Sequence, residues 1–331
     1  MRTTLTTLAT AALFAALAFA QDQDKTVYVT HSTSAEDMTA MVTMARTMFA
    51  LQNISADQEH RAVLMHGPLE KLVAAEWLFD QLDRPASGST AQYKMSGEKN
   101  DVLAIFPLSP AATDPEITAV TTAIRTLADM VRLFPYKAAK AIVGRDTPEK
   151  IAAADWLVRQ LLPYDGKAPT GDSVAYPSPL ADSKAENDTP IVQVFRMDPK
   201  TTNAELTATV TAIRSTADLQ RLFPFESGKA IIAGGASDKV AVAGWLVHEL
   251  AKPPDANVIH QTIMPGLIDG VVRLFYLGQQ ADAAPLAAQI RSAVGIQRVF
   301  PFGYPPAVVL RGRPDQMSTV EALVAKSADV R

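Results

Sequence analysis

The sequence predicts an α+β chain of four tandem βαββα modules, each a three-stranded sheet with two helices on one face. Three observations predict it: a gap-free internal repeat, one order of apolar periodicities recurring in every copy, and polar segments between copies. Thr113–Leu161 overlays Thr202–Leu250 at an offset of 89, with 24 of 49 positions identical. Internal periods of this size mark repeat architectures, and they decide the fold before any local reading. Arg132-Leu-Phe-Pro135 returns as Arg221-Leu-Phe-Pro224, and Trp156-Leu-Val158 as Trp245-Leu-Val247. Two weaker copies flank this pair. At an offset of 79, Arg125 falls on Arg46 and Trp156 on Trp77; at 77, Arg214 falls on Arg291 and Arg221 on Arg298. The fourth copy carries Ala322 in place of the tryptophan.

Each copy opens on an apolar strand, Val102–Leu108 in the second, with Ile191–Met197 and Val271–Leu277 as counterparts. A helix follows. Thr113-x-x-Glu116 and Thr202-x-x-Glu205 are capping boxes, in which hydroxyl and carboxylate satisfy free backbone N–H groups reciprocally. Ile117, Val120, Ile124 and Leu127 then recur at helical spacing. Arg132–Tyr136 and Lys140–Val143 form a hairpin, its first strand carrying Pro135 as strand ends and edges allow. Thr147-Pro148-Glu149 starts the second helix with an N-cap and a first-turn proline. Its stripe in the first copy is Leu72, Ala75, Phe79 and Leu82. The expected boundaries are module 1 at 25–84, module 2 at 101–163, module 3 at 190–252 and module 4 at 270–328. Residues 85–100 and 164–189 read as polar linkers, the second flexible. Lys252 to Gly270 carries Ile259, Ile263 and Leu267 and is expected to pack.

Composition narrows the function. Arg2, the apolar run Leu5–Phe19 and Ala18-Phe19-Ala20 form a signal peptide over residues 1–20. The expected location is periplasmic or secreted, with no membrane span once the signal is removed. With 0 Cys the chain has no disulfides, Cys–zinc sites or thiol catalysis. A formal charge of -4 disfavours nucleic acid. His31, His60, His66, His248 and His260 fall in different elements, with no pair at the helical spacing of a metal site. No Gly-x-Ser-x-Gly elbow is present. The reading is therefore a non-enzyme without cofactor or metal.

Candidate interaction residues lie on the repeated motifs. At about 100° per residue Trp77 points away from the stripe of its helix and shares a face with Val73 and Ala74. Trp77, Trp156 and Trp245 therefore read as contacts to another module or chain. Arg132, Arg221 and Arg298 open the hairpin strand, a satisfied pair or an edge able to take a partner's strand. Arg125 and Arg214 have Asp129 and Asp218 four residues on, an expected surface ion pair, with the arginine stem lying over apolar surface.

The fourth copy resembles a family. Val272-Arg-Leu-Phe-Tyr-Leu277, the run Gln280–Ala288 and Ala307-Val-Val-Leu-Arg-Gly-Arg-Pro-Asp315 are similar to a periplasmic N-domain of the secretins, outer-membrane channels of secretion and pilus systems. The resemblance implies βαββα modules that stack and bind protein partners of the envelope. Phe300-Pro-Phe-Gly-Tyr-Pro-Pro306 departs from the family's hairpin, and the sequence stops at Arg331 without the channel domain, so the chain is not expected to be the pore. The expected function is a scaffold or accessory component of an envelope or secretion assembly, working by contact with envelope proteins or by self-association. The alternative is a binding protein for a cell-wall component or small ligand in clefts between modules.

Overall fold

The computed structural model describes residues 22–31, 34–85, 87–95, 101–179, 190–255, 258–278, 281–303 and 305–329. The expected signal peptide lies outside the described residues. The chain divides into two compact units, Met1–Ala168 and Pro169–Arg331, each holding two modules.

In the first unit, module 1 runs β1 (Asp22–Tyr28), α1 (Ala35–Phe49), β2 (Asn53–Asp57), β3 (Ala62–Pro68) and α2 (Leu69–Leu82). Module 2 runs β4 (Ala91–Lys94), β5 (Val102–Pro107), α3 (Asp114–Leu127), β6 (Arg132–Tyr136), β7 (Ala141–Asp146) and α4 (Pro148–Leu161). In the second unit, module 3 runs β8 (Tyr176–Pro177), β9 (Ile191–Arg196), α5 (Asn203–Ala217), β10 (Arg221–Phe225), β11 (Ala230–Gly235) and α6 (Ser237–Ala251). Module 4 runs β12 (His260–Ile263), β13 (Val271–Tyr276), α7 (Ala283–Val294), β14 (Val299–Gly303), β15 (Pro306–Gly312) and α8 (Pro314–Asp329).

The four-module α+β reading is the fold. Every sheet is antiparallel, and the second hairpin strand is central: β1-β3-β2, β4-β5-β7-β6, β10-β11-β9-β8 and β12-β13-β15-β14. The register repeats too, with Tyr28 opposite Ala62, Pro107 opposite Ala141, Arg196 opposite Ala230 and Tyr276 opposite Ala307.

Among the described residues, three of the four sheets have a fourth strand that sequence reading assigned to linkers. Residues 85–100 supply β4, the segment before module 4 supplies β12, and the expected flexible stretch 164–189 supplies β8. Ahead of β8 the Ser173 N–H donates to the Val194 carbonyl at 2.9 Å, and the Arg196 N–H to Asp172 Oδ1 at 2.8 Å. These strands are Ala91–Lys94, Tyr176–Pro177 and His260–Ile263, too short to show a period of two in the sequence. Residues 180–189 lie outside the described residues.

The arginine of the first helix has a role different from the one expected. Arg46, Arg125, Arg214 and Arg291 each donate Nη2 to the carbonyl eight residues on, those of Ile54, Leu133, Leu222 and Val299, at 3.0, 2.8, 2.9 and 2.5 Å. The charge staples helix to edge strand, where that carbonyl faces away from the ladder. Asp129 pairs with Lys150 Nζ at 3.4 Å rather than with Arg125, because it sits past the helix end in the left-handed region, φ 53°. All four first helices end this way, on Ala50, Asp129, Asp218 and Gly295 at φ 52°, 53°, 56° and 76°. The outer helix faces carry hydroxyls. Thr39, Thr43 and Thr47, like Thr118, Thr122 and Thr126, each donate to the carbonyl four residues back.

The capping boxes form, the Glu116 and Glu205 carboxylates accepting the Thr113 and Thr202 N–H groups at 2.8 and 2.7 Å. The stripe Leu72, Ala75, Phe79 and Leu82 is buried. An alanine with positive φ is strained where glycine is not. Ala50→Gly is therefore expected to stabilise the first unit by about 0.5–1 kcal/mol, read as a higher urea midpoint.

Candidate functional site

β5 is buried at all six residues, although helices cover only one face of its sheet. The second cover is the preceding module. Leu103, Ile105, Tyr136 and Val143 of module 2 share one apolar cluster with Met41, Met44 and Met48 of α1. The second unit repeats this, with Val272, Leu274, Phe302 and Val309 of module 4 clustering with Ala212 and Ala217 of α5. A sheet face laid on the preceding module's first helix is thus the joint of each unit.

A buried arginine anchors each joint. Arg145 on β7 sends Nε and Nη2 to Asp101 Oδ2 at 3.0 and 2.7 Å, and Nη1 across to the Met48 carbonyl at 2.7 Å. Arg311 on β15 does the same with Asp269 Oδ2, at 3.3 and 3.2 Å, and with the Thr216 carbonyl at 3.1 Å. Met48 and Thr216 lie in the last turn of their helices, whose carbonyls lack intrahelical partners. A cation there also meets the negative end of the helix dipole. Arg145 and Arg311 are 3% and 5% exposed, so both charges work where water screens them little. Module 3 carries Gly234 and Pro190 at the corresponding positions and lacks the anchor.

The second joint has a polar addition. The Tyr276 hydroxyl donates to the Glu249 carbonyl at the end of α6, 2.6 Å away. Burial, then the Glu249 charge, pushes the Tyr276 pKa up to about 12, so the hydroxyl remains a donor. Burial pushes the Glu249 carboxyl up, but Lys252 Nζ at 2.6 Å and His260 Nδ1 at 2.7 Å outweigh it and hold it below its ordinary value.

The candidates read from sequence divide between the joints and the surface. Trp77 is half-buried against the first cluster, its ring 5.3 Å from that of Tyr93 on β4, the neighbouring module's edge strand. Trp245 is half-buried against the second cluster, and Trp156 is also half-buried. Arg298 spans the second joint to Asp218 at 3.5 Å, while Arg132 meets Asp101 of its own module at 3.5 Å. Arg221 is half-buried at the start of β10. Their strands are sheet edges, paired on one side as hairpins. Of the histidines, only His260 among those described is buried, and no group of three metal-ligating side chains gathers among the described residues. No described helix is long and apolar enough to cross a membrane.

Sequence reading missed Asp101, Arg145, Asp269 and Arg311. Neighbouring copies do not share them, but alternate copies do, at offsets of 168 and 166. Comparing module 2 with module 4 instead of module 3 exposes the pair.

Two outcomes follow from this geometry. Arg145→Met leaves the buried Met48 carbonyl without its donor and Asp101 with Arg132 at 3.5 Å, and is expected to cost about 1–3 kcal/mol, read as a lower urea midpoint of the first unit. For Glu249, a folded pKa below the unfolded value gives stability that is present above about pH 4.5 and lost as pH falls through the folded value. Thermal midpoints from pH 7 to pH 3 should fall less steeply in Glu249→Gln than in the unaltered chain.

No family model matches the chain, and no curated protein matches it. Among solved structures it is similar to ExeD of Aeromonas hydrophila, at 14% identity and TM-score 0.18 over 71% of this chain and 42% of that one. It is similar to the pilotin–secretin AspS–GspD complex of ETEC, at 10% identity and TM-score 0.17 over 71% and 39%. It is also similar to the type II secretion system secretin GspD of E. coli K12, at 11% identity and TM-score 0.16 over 70% and 39%. The chain spans about two fifths of the length of these structures.

Proposed function

We propose that the chain is a periplasmic repeat protein that works by protein–protein contact, as a scaffold or accessory component of an envelope or secretion assembly. The observation that carries this reading is the anchored joint. Two successive modules are locked by a buried arginine that donates to a helix-end carbonyl of the module before, and by a shared apolar cluster, which makes a stiff two-module block. Stiffness of this kind suits a surface that must be held in register against a partner.

The sequence supports export, and the resemblance of module 4 supports an envelope setting. Trp77, Trp156 and Trp245, with Arg132, Arg221 and Arg298, are the proposed contact residues, through their exposed portions. A small-ligand role would call for convergent polar side chains in a cleft between modules. The groove between modules 3 and 4 is lined by Asp198, Lys200, Thr201, Glu205 and Thr209 beside Phe302 and Pro305, but it holds about 240 Å³, below the roughly 300–1,000 Å³ of small-ligand pockets, which argues against it.

The test is chemical crosslinking and affinity recovery from the native envelope, with the unaltered chain beside Trp77→Ala/Trp156→Ala/Trp245→Ala. One or more envelope proteins should crosslink to the unaltered chain, and recovery should drop in the triple variant. Undiminished recovery would remove the tryptophans from the contact, and absence of any crosslinked protein would overturn the scaffold reading.

A further inference from the structure

The joint has a socket and a plug, and module 4 presents the socket open. In the second unit the plug is the tip of the module 4 hairpin. Phe302 and Pro305 lie beside Met197, Glu205, Thr209 and Leu250 of module 3. The repeat carries those four socket positions onto Leu277, Asp282, Leu286 and Ser327 of module 4. These four line a groove of about 750 Å³, with Phe275, Pro285, Leu323 and Val324 completing its apolar walls. Val258 and Ile259 stand on its lip, 52% and 66% exposed. Among the described residues nothing occupies it. Ala212, fully buried under module 4, corresponds to Gln289, which is exposed at the groove.

From this geometry we infer that the module 4 groove is a docking socket for the sheet face of another βαββα module, carried by a different protein and tipped by an aromatic hairpin. The inference rests on the protein-contact reading and continues an interface the molecule already builds twice. A second copy of this chain offers a poor plug. The sheet face of module 1, uncovered among the described residues, keeps Tyr28, Ala62 and Leu64, but Asp24, Ser55 and Asp57 stand where module 2 has Leu103, Phe134 and Tyr136. Asp57 takes the plug position itself. The His60 backbone N–H, then the His60 ring, hold its carboxyl below the ordinary carboxylate range, so it stays charged. Burying that charge against Leu286 is costly.

The experiment restores the plug. In the full chain, Asp24→Leu/Ser55→Phe/Asp57→Tyr gives module 1 three apolar residues of the module 2 face, including the aromatic hairpin tip, and light scattering after size-exclusion chromatography reads the mass. The unaltered chain should remain monomeric at micromolar concentration. The altered chain should gain mass with concentration, through its own head entering the module 4 groove of a neighbour. Adding Gln289→Arg/Ile259→Glu, two exposed positions of the groove, should return it to monomer. A folded variant that stays monomeric, or associates regardless of the groove changes, overturns the socket. Association of the unaltered chain that the groove changes abolish overturns the assignment to a different protein. If the triple variant does not fold, a cyclised hairpin of residues 132–143 serves as probe, by fluorescence anisotropy. It should bind the unaltered chain and not the Gln289→Arg/Ile259→Glu chain; equal or absent binding overturns the socket. None of these readouts uses an envelope extract, so the socket can fail while the scaffold reading stands, and the reverse.

Discussion

The fold depends on one interaction made twice, a buried guanidinium shared between a carboxylate of its own module and a helix-end carbonyl of the module before. Each half is needed. The carboxylate keeps the cation from being buried alone, and the carbonyl directs it across the joint. A module of some sixty to seventy residues buries too little surface to be more than marginal by itself. Laying the open sheet face of one module on the first helix of another adds the missing burial, and the arginine fixes where the face lands. Apolar surfaces slide over one another at small cost, whereas a charge-assisted hydrogen bond from the guanidinium to the helix-end carbonyl holds one position.

The same logic makes the pair of modules, not the single module, the repeating element. Module 2 and module 3 are the most alike in sequence, yet only module 2 has the arginine. Module 4, more distant in sequence, has it too. Likeness over the helix and hairpin reflects each module's internal packing, which is the same everywhere. The anchor reflects position in a pair, and it alternates.

This explains what was legible beforehand. The four modules, their element order, the capping boxes and the helix stripes are local or periodic, and Thr113, Glu116 or Ile117 announce them directly. The edge strands β4, β8 and β12 are not legible, since two to four residues of mixed polarity carry no period and pair only because a neighbouring edge is free. The arginine staple was visible as a recurring residue but misread. Asp129 four residues later suggested an ion pair on a helix surface, and nothing in sequence announces that the chain turns left-handed there and carries Asp129 out of reach. The joint was hidden because its partners lie 97 and 95 residues apart, in copies that comparison of neighbours never aligns.

The rows of threonine along the first helices bear on how such a surface meets another protein. Each hydroxyl spends its proton on the helix's own carbonyl, so these faces turn methyl groups and oxygens that can only accept outward. A hydropathy scan counts them as polar, yet each side chain is half methyl and carries no charge. Covering such a face strips away little that was tightly bound. It can close against a partner and release it again without the desolvation toll of a charged surface.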